Sequence, residues 1–130
     1  MNREIREIRF RVWDGVKIIS LSEAWKQEQI YIDLSEGFKN NTLEVNYEGV
    51  ELMQYTGLKD KNSKEIYCGD IVKFHIDVGY GPEEVIASVI YKDCGFQYDS
   101  KAGCDYMRGF DDVEVIGNIY ENQELYYDSK

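Results

Sequence analysis

Apolar and polar residues alternate with period two along most of this 130-residue chain, the pattern of strands that turn one face to a core. Ile8-Arg9-Phe10-Arg11-Val12 opens the pattern. Asp14-Gly15 suits a tight type I′ turn and Val16-Lys17-Ile18-Ile19 resumes the alternation, so residues 5–19 read as a β-hairpin. Ser20-Leu21-Ser22-Glu23 has the spacing of a capping box and predicts a short helix reaching about Gln29. Strands follow at Ile30–Leu34, closed by Glu36-Gly37, then at Leu43–Tyr47 after an Asn40-Asn41 turn, and at Val50–Thr56. Residues 57–64 are the most turn-like stretch, with Asp60 and Asn62 suited to side-chain-bonded turns.

Beyond residue 65 the strands shorten their spacing. In Ile71–Val78 the residues Val72, Phe74, Ile76 and Val78 share one face, while Lys73, His75 and Asp77 share the other. Gly79–Pro82 reads as a hairpin loop. Glu84–Tyr91 and Cys94–Asp99 read as strands around Lys92-Asp93, and residues 101–109 as a loop. Val113–Tyr120 reads as a closing strand with a bulge or bend at Gly117, and residues 121–127 as a short helix. Val72, Phe74, Ile76, Val89 and Ile116 are the expected members of one core. The expected fold is mainly β with one or two short helices. An SH3-like small β-barrel over 57–130 follows an N-terminal β-hairpin lobe over 1–56, within a single unit 1–130.

Charge narrows the functional classes. There are 15 Lys+Arg against 25 Asp+Glu, a net charge of −10. Residues 93–130 carry nine acids against three bases, which speaks against tracking a phosphate backbone, where each contact needs a cation. The exception is the start, with Arg3, Arg6, Arg9 and Arg11; it reads first as the solvated face of an edge strand. No apolar run approaches the roughly 18–20 residues of a membrane span, and no signal peptide opens the chain, so a soluble, intracellular protein is expected.

Reactive chemistry is sparse. Cys68, Cys94 and Cys104 form no C-x-x-C pair and read as reduced thiols. A 94–104 bridge is open on spacing alone. His75 is the single histidine, which excludes H-E-x-x-H and points to a structural role. Asp111, Asp112 and Glu114 form an acidic patch without the spacing of a calcium loop. Gly79-Tyr80-Gly81-Pro82 is too short to cradle a phosphate. These observations predict no catalytic residue, no metal and no cofactor.

The 18 aromatic residues, 11 of them Tyr, exceed what cross-strand pairing inside a small core accommodates and suggest an aromatic binding surface. The candidates are Tyr55 and Tyr67 beside the 57–64 turn, Tyr80 at the hairpin tip, and Arg9 and Arg11 on the first strand. Asp111, Asp112 and Glu114 would serve instead if the chain mimicked a nucleic acid. The expected partner is another protein; nucleic acid and membrane are not expected, and self-association stays open.

Three blocks carry a family resemblance. They are Ile8-Arg9-Phe10-Arg11-Val12-Trp13-Asp14; Met53 through Asn62, with Glu65-Ile66-Tyr67 and Gly69-Asp70-Ile71-Val72; and Val115-Ile116-Gly117-Asn118-Ile119-Tyr120-Glu121-Asn122. In this order they resemble the YopX family of phage and prophage proteins and frame nearly the whole chain. The resemblance implies a mostly β fold and a phage context, and it carries over no catalytic residue. Ser63 stands where a turn glycine is usual, which speaks against a positive-φ turn there. Cys68 and Gln123 also depart from the pattern. The function expected is a non-enzymatic protein-interaction module. An acidic decoy of nucleic acid and a small phosphoester- or nucleotide-acting enzyme are the alternatives.

Overall fold

The computed structural model describes residues 9–33, 42–45, 49–77, 79–101, 103–107 and 112–127. The chain divides into two compact units, one of Arg9–Gln54 and one that runs from Tyr55 onward.

In the first unit, β1 (Phe10–Trp13) pairs antiparallel with β2 (Ile18–Ser20) on one side. Its other side pairs with the opening half of β5 (Glu51–Lys59), Val12 facing Leu52. The turn between β1 and β2 is led by Gly15 at φ +99. The Asp14 carboxylate accepts the N–H groups of Val16 and Lys17, both at 2.8 Å, and these bonds hold its carboxyl below the usual range. Val16 does not share the positive φ, so the turn is not type I′, which needs it at both central positions. The Ser20 hydroxyl caps α1 (Leu21–Lys26) by accepting Glu23 N–H at 3.1 Å. The helix stops earlier than its polar pattern suggests, because Glu28 enters the left-handed region at φ +57. β3 (Ile30–Asp33) and β4 (Thr42–Val45) form a separate antiparallel pair. Val12, Ile19, Ala24, Ile30 and Val50 make this unit's core. A six-residue helix is not stable alone, so burial of Ala24 is what holds it. The readings at Leu34, Glu36-Gly37, Asn40-Asn41 and Tyr47 lie outside the described residues.

From Tyr55, β5 continues beside β6 (Glu65–Tyr67). The strand therefore runs through Lys59, past the point where the sequence reads as a turn. Gly57 at φ +86 makes the irregularity that hides it. There the Thr56 hydroxyl donates to the Ile66 carbonyl at 2.8 Å and accepts from Leu58 N–H at 3.1 Å. The turn proper is built on Asp60, 8% exposed. Its Oδ1 accepts Asn62 N–H at 2.8 Å and Lys64 N–H at 2.9 Å, and Oδ2 accepts Val115 N–H at 2.9 Å. Ser63 adopts φ +64 here, contrary to the expectation drawn from its side chain.

The main sheet has the order β10-β9-β8-β7-β11. These strands are β7 (Asp70–Asp77), β8 (Pro82–Lys92), β9 (Gly95–Ser100), β10 (Gly103–Tyr106) and β11 (Glu114–Asn118). All adjacent pairs are antiparallel. The expected SH3-like barrel does not close: the sheet is open, and among the described residues its outer strands β10 and β11 do not pair. The stretch read as a loop at 101–109 contains β10, which alternation could not reveal because all four of its residues are exposed. The type I′ geometry appears instead between β8 and β9, where Asp93 (φ +53) and Cys94 (φ +64) are both left-handed and Lys92 pairs with Gly95.

Ile66, Val72, Phe74, Ala87, Val89, Tyr98 and Val113 form the core of this unit, with Ile76 half-buried against it. Ile116 is not among them. Val115 pairs with Val72 and Gly117 with Ile71, so Ile116 is the extra residue of a bulge and leaves the alternation. Gly117 is required beside it, because a Cβ there would lie 2.6 Å from the Asn122 side-chain oxygen. Asn118 then closes the chain with its Oδ1 accepting Tyr120 and Glu121 N–H at 3.0 and 2.9 Å, ahead of α2 (Gln123–Tyr127).

Candidate functional site

A groove of about 310 Å³ lies on the five-stranded sheet. Its apolar surface comes from Phe74 and Ile76 of β7, Val85 of β8 and Tyr98 of β9, and Gly103 to Tyr106 of β10 border it. Register explains the convergence. Phe74 faces Val85 across the β7–β8 ladder, and Val89 faces Tyr98 across β8–β9, so these residues share one side of the pleat. Phe74 and Tyr98 rings lie 4.9 Å apart and tilted. Burial pushes the Tyr98 phenol up to about 12, so it stays neutral at any physiological pH. Asp105 is the one charged side chain among the described residues lining the groove.

The proposed binding residues do not converge on one spot. Tyr80 is 98% exposed at the tip of the β7–β8 hairpin, the same two strands that supply Phe74, Ile76 and Val85. Tyr55 is buried, its ring 5.4 Å from that of Tyr67. Tyr67 is half-buried, and its hydroxyl donates to Glu65 at 2.9 Å. This pair packs within the β5–β6 ladder, with Tyr55 buried and Tyr67 partly exposed. Arg9 precedes β1 and Arg11 lies within it. β1 is paired on both sides, so it is not an edge strand, and both arginines are half-buried.

The acidic patch is largely matched by bases. Asp112 Oδ2 lies 2.7 Å from His75 Nδ1 and accepts the His75 backbone N–H at 3.0 Å. The ring hydrogen bond holds the Asp112 carboxyl below its usual range. His75 Nε2 is 4.0 Å from Glu84, so the histidine sits between two carboxylates and ties β7 to the turn ahead of β11. Glu114 lies 3.2 Å from Lys61 and 3.9 Å from Lys73. Asp111 lies outside the described residues.

Among the described residues no group of three His, Cys, Asp or Glu side chains is placed to hold a metal ion, and no helix is long and apolar enough to cross a membrane. The three cysteines are free thiols. Burial pushes the Cys68 thiol up; a hydrogen bond with Asp99 does the same for Cys104, whose Sγ is 3.3 Å from it. Three exposed aromatic residues lie outside the sequence's candidates, Trp25 of α1 at 52% among them. Tyr91 is 59% exposed with its ring edge-on to Phe96 at 5.2 Å. Tyr106 is 51% exposed; its hydroxyl donates to the Asp93 carbonyl at 2.9 Å and its ring occupies the space a Cβ at Gly95 would need.

The described fold is thus a mainly β protein with two short helices and an open antiparallel sheet carrying an apolar groove. Residues 9–126 match the family described as YopX protein, and the chain belongs to that family. Two solved structures share the fold. The crystal structure of YopX from Bacillus subtilis is 24% identical with a TM-score of 0.57, covering 93% of this chain and 98% of that one. The crystal structure of protein EF1440 from Enterococcus faecalis is 23% identical with a TM-score of 0.55, covering 92% and 98%. No curated protein matches the chain.

Proposed function

We propose that this protein is a phage- or prophage-encoded module that binds another protein through the groove side of its five-stranded sheet, within a bacterial cytoplasm, and performs no catalysis of its own. The observation that carries the reading is the groove itself. An apolar concavity of about 310 Å³ is built on regular strands, and the hairpin that supplies much of it presents Tyr80 almost entirely to solvent. An apolar floor on strands whose hairpin carries an exposed tyrosine is an arrangement in which a few side chains can supply most of an interface's affinity.

The test is a capture from lysogenic or infected cells, followed by titration of the purified partner against the wild-type chain, Tyr80→Ala and Val85→Asp. Either variant should weaken binding by about tenfold or more. The reading fails if both bind as the wild type does. If neutralising Asp112 and Glu114 abolishes binding instead, and binding falls steeply with salt, the acidic-decoy account replaces it. Turnover of a nucleotide by the purified chain would replace it with the enzyme account.

A further inference from the structure

β7 and β8 run on past the strands beside them. Among the described residues, β11 pairs with β7 as far as Lys73, and β9 pairs with β8 from Ala87 onward. Positions 74–77 and 82–86 therefore pair with each other alone. They make a two-stranded arm about 13 Å long at 3.3 Å per residue. One contact steadies its outer side, where Asp112 accepts the His75 N–H at 3.0 Å. Tyr80 stands at the end, 98% exposed, between Gly79 at φ +94 and Gly81 at φ +101. Apart from chain neighbours, no atom lies within 4 Å of the place where either glycine would carry a Cβ. The tip is narrow.

The arm is also acidic. Residues 74–86 hold Asp77, Glu83 and Glu84 and no lysine or arginine. Register puts these acids on both faces: Glu83 is opposite Ile76, on the groove side, whereas Glu84 is opposite His75 and shares its face with Asp77. His75 is shared between Glu84 and Asp112. Asp77 accepts Gly79 N–H at 2.8 Å, a bond that leaves its charge in place. At the foot, Lys61 and Lys73 lie against Glu114, and Lys101 follows Ser100, the partner of Ala87. With the foot included, Asp77, Glu83, Glu84, Asp112 and Glu114 still outnumber those three lysines.

We propose that this arm enters a concave cleft of the partner protein lined by lysine or arginine, with Tyr80 seated at the bottom and the acids of both faces meeting the walls. This rests on the protein-binding reading above and specifies its partner. Opposite charge steers such an encounter and rejects wrong partners. Tyrosine brings an apolar body with a polar tip to a desolvated seat. The arm's composition turns other occupants away. Pro82 and the acids guard its edges against an added strand, a second copy would bring the same three acids to meet these, and a phosphate backbone is repelled.

The experiment installs the photo-crosslinker p-benzoylphenylalanine at position 80 of the full chain, irradiates lysogenic or infected cells, and maps the joined peptide on the protein it captures. The same group at Val16, 80% exposed in the first unit, gives the background. The crosslink should fall inside a cleft lined by Lys or Arg. Against that purified protein, Tyr80→Ala should weaken binding about tenfold or more. The triple change Asp77→Asn, Glu83→Gln, Glu84→Gln should weaken it about tenfold and remove most of its salt dependence; Asp112→Asn with Glu114→Gln should have the smaller effect. The proposal is overturned by no capture above background, by a crosslink on a surface without Lys or Arg, by capture of a second copy of this chain, or by a triple variant that binds as the wild type. If Val85→Asp weakens binding while Tyr80→Ala and the triple change do not, the groove reading stands and the arm falls; if none of the three matters, both fall.

Discussion

Asp60 accepts three backbone N–H groups, and one comes from Val115, 55 positions along the chain. Burial alone would raise its carboxyl, but the bonds from Val115, Lys64 and Asn62 outweigh it and hold the group below 3.8. As pH falls from about 5, the unfolded chain therefore takes up this proton first. The stabilisation is complete above the ordinary carboxylate value, declines beneath it, and is gone once the folded carboxyl is protonated too. Asp60→Ala should cost about 2–3 kcal/mol at neutral pH and should flatten the loss of stability in acid, both read from urea melts across pH. Ser63 makes the opposite prediction. A left-handed residue with a side chain is strained by about 1 kcal/mol, so Ser63→Gly should raise stability by about 0.5 kcal/mol after the glycine's greater unfolded-state freedom. Asp60's turn role was legible because Asp and Asn spacing is local. Its bond to Val115 was not, nor was the His75–Asp112 pair, because side chains 37 positions apart leave no mark in a single sequence.

The elements that carry the family resemblance are turns and bulges more than surfaces. The central block supplies Gly57, Asp60, Gly69 and Asp70; Asp70 is almost wholly buried and caps Tyr67 N–H at 2.8 Å. The final block supplies the Gly117 bulge and the Asn118 turn. Gly117→Ala should destabilise by about 1–3 kcal/mol, because the Asn122 side chain would have to move and would lose its bond to Asn118 N–H; thermal melts against the wild type measure it. Hairpins and the α1 cap could be read from sequence since each is fixed within a few residues. β10 could not, because a strand exposed on both faces shows no alternation. The groove was half visible: Phe74 and Ile76 were read as core, and register with Val85 and Tyr98 is what makes their end of the sheet a surface feature.

Across the molecule, each unit has its own apolar cluster, so core damage should be felt unit by unit. Phe74→Ala should cost about 3–5 kcal/mol and speed amide exchange over residues 71–90 more than over 10–20. Val12→Ala should show the reverse pattern. Barrel closure is the expectation that failed at this scale, because closure depends on which distant strands meet, and strand spacing alone does not encode it. That same connectivity governs how the chain reaches its fold. β7 to β10 pair as successive hairpins, local closures that form on microsecond timescales. β11 must instead return from the far end of the chain to β7 and donate its Val115 N–H to Asp60 as it arrives, a non-local step of the kind that slows β proteins. Because docking of β11 is that slow step, Asp60→Ala should slow refolding in stopped-flow experiments more than it accelerates unfolding.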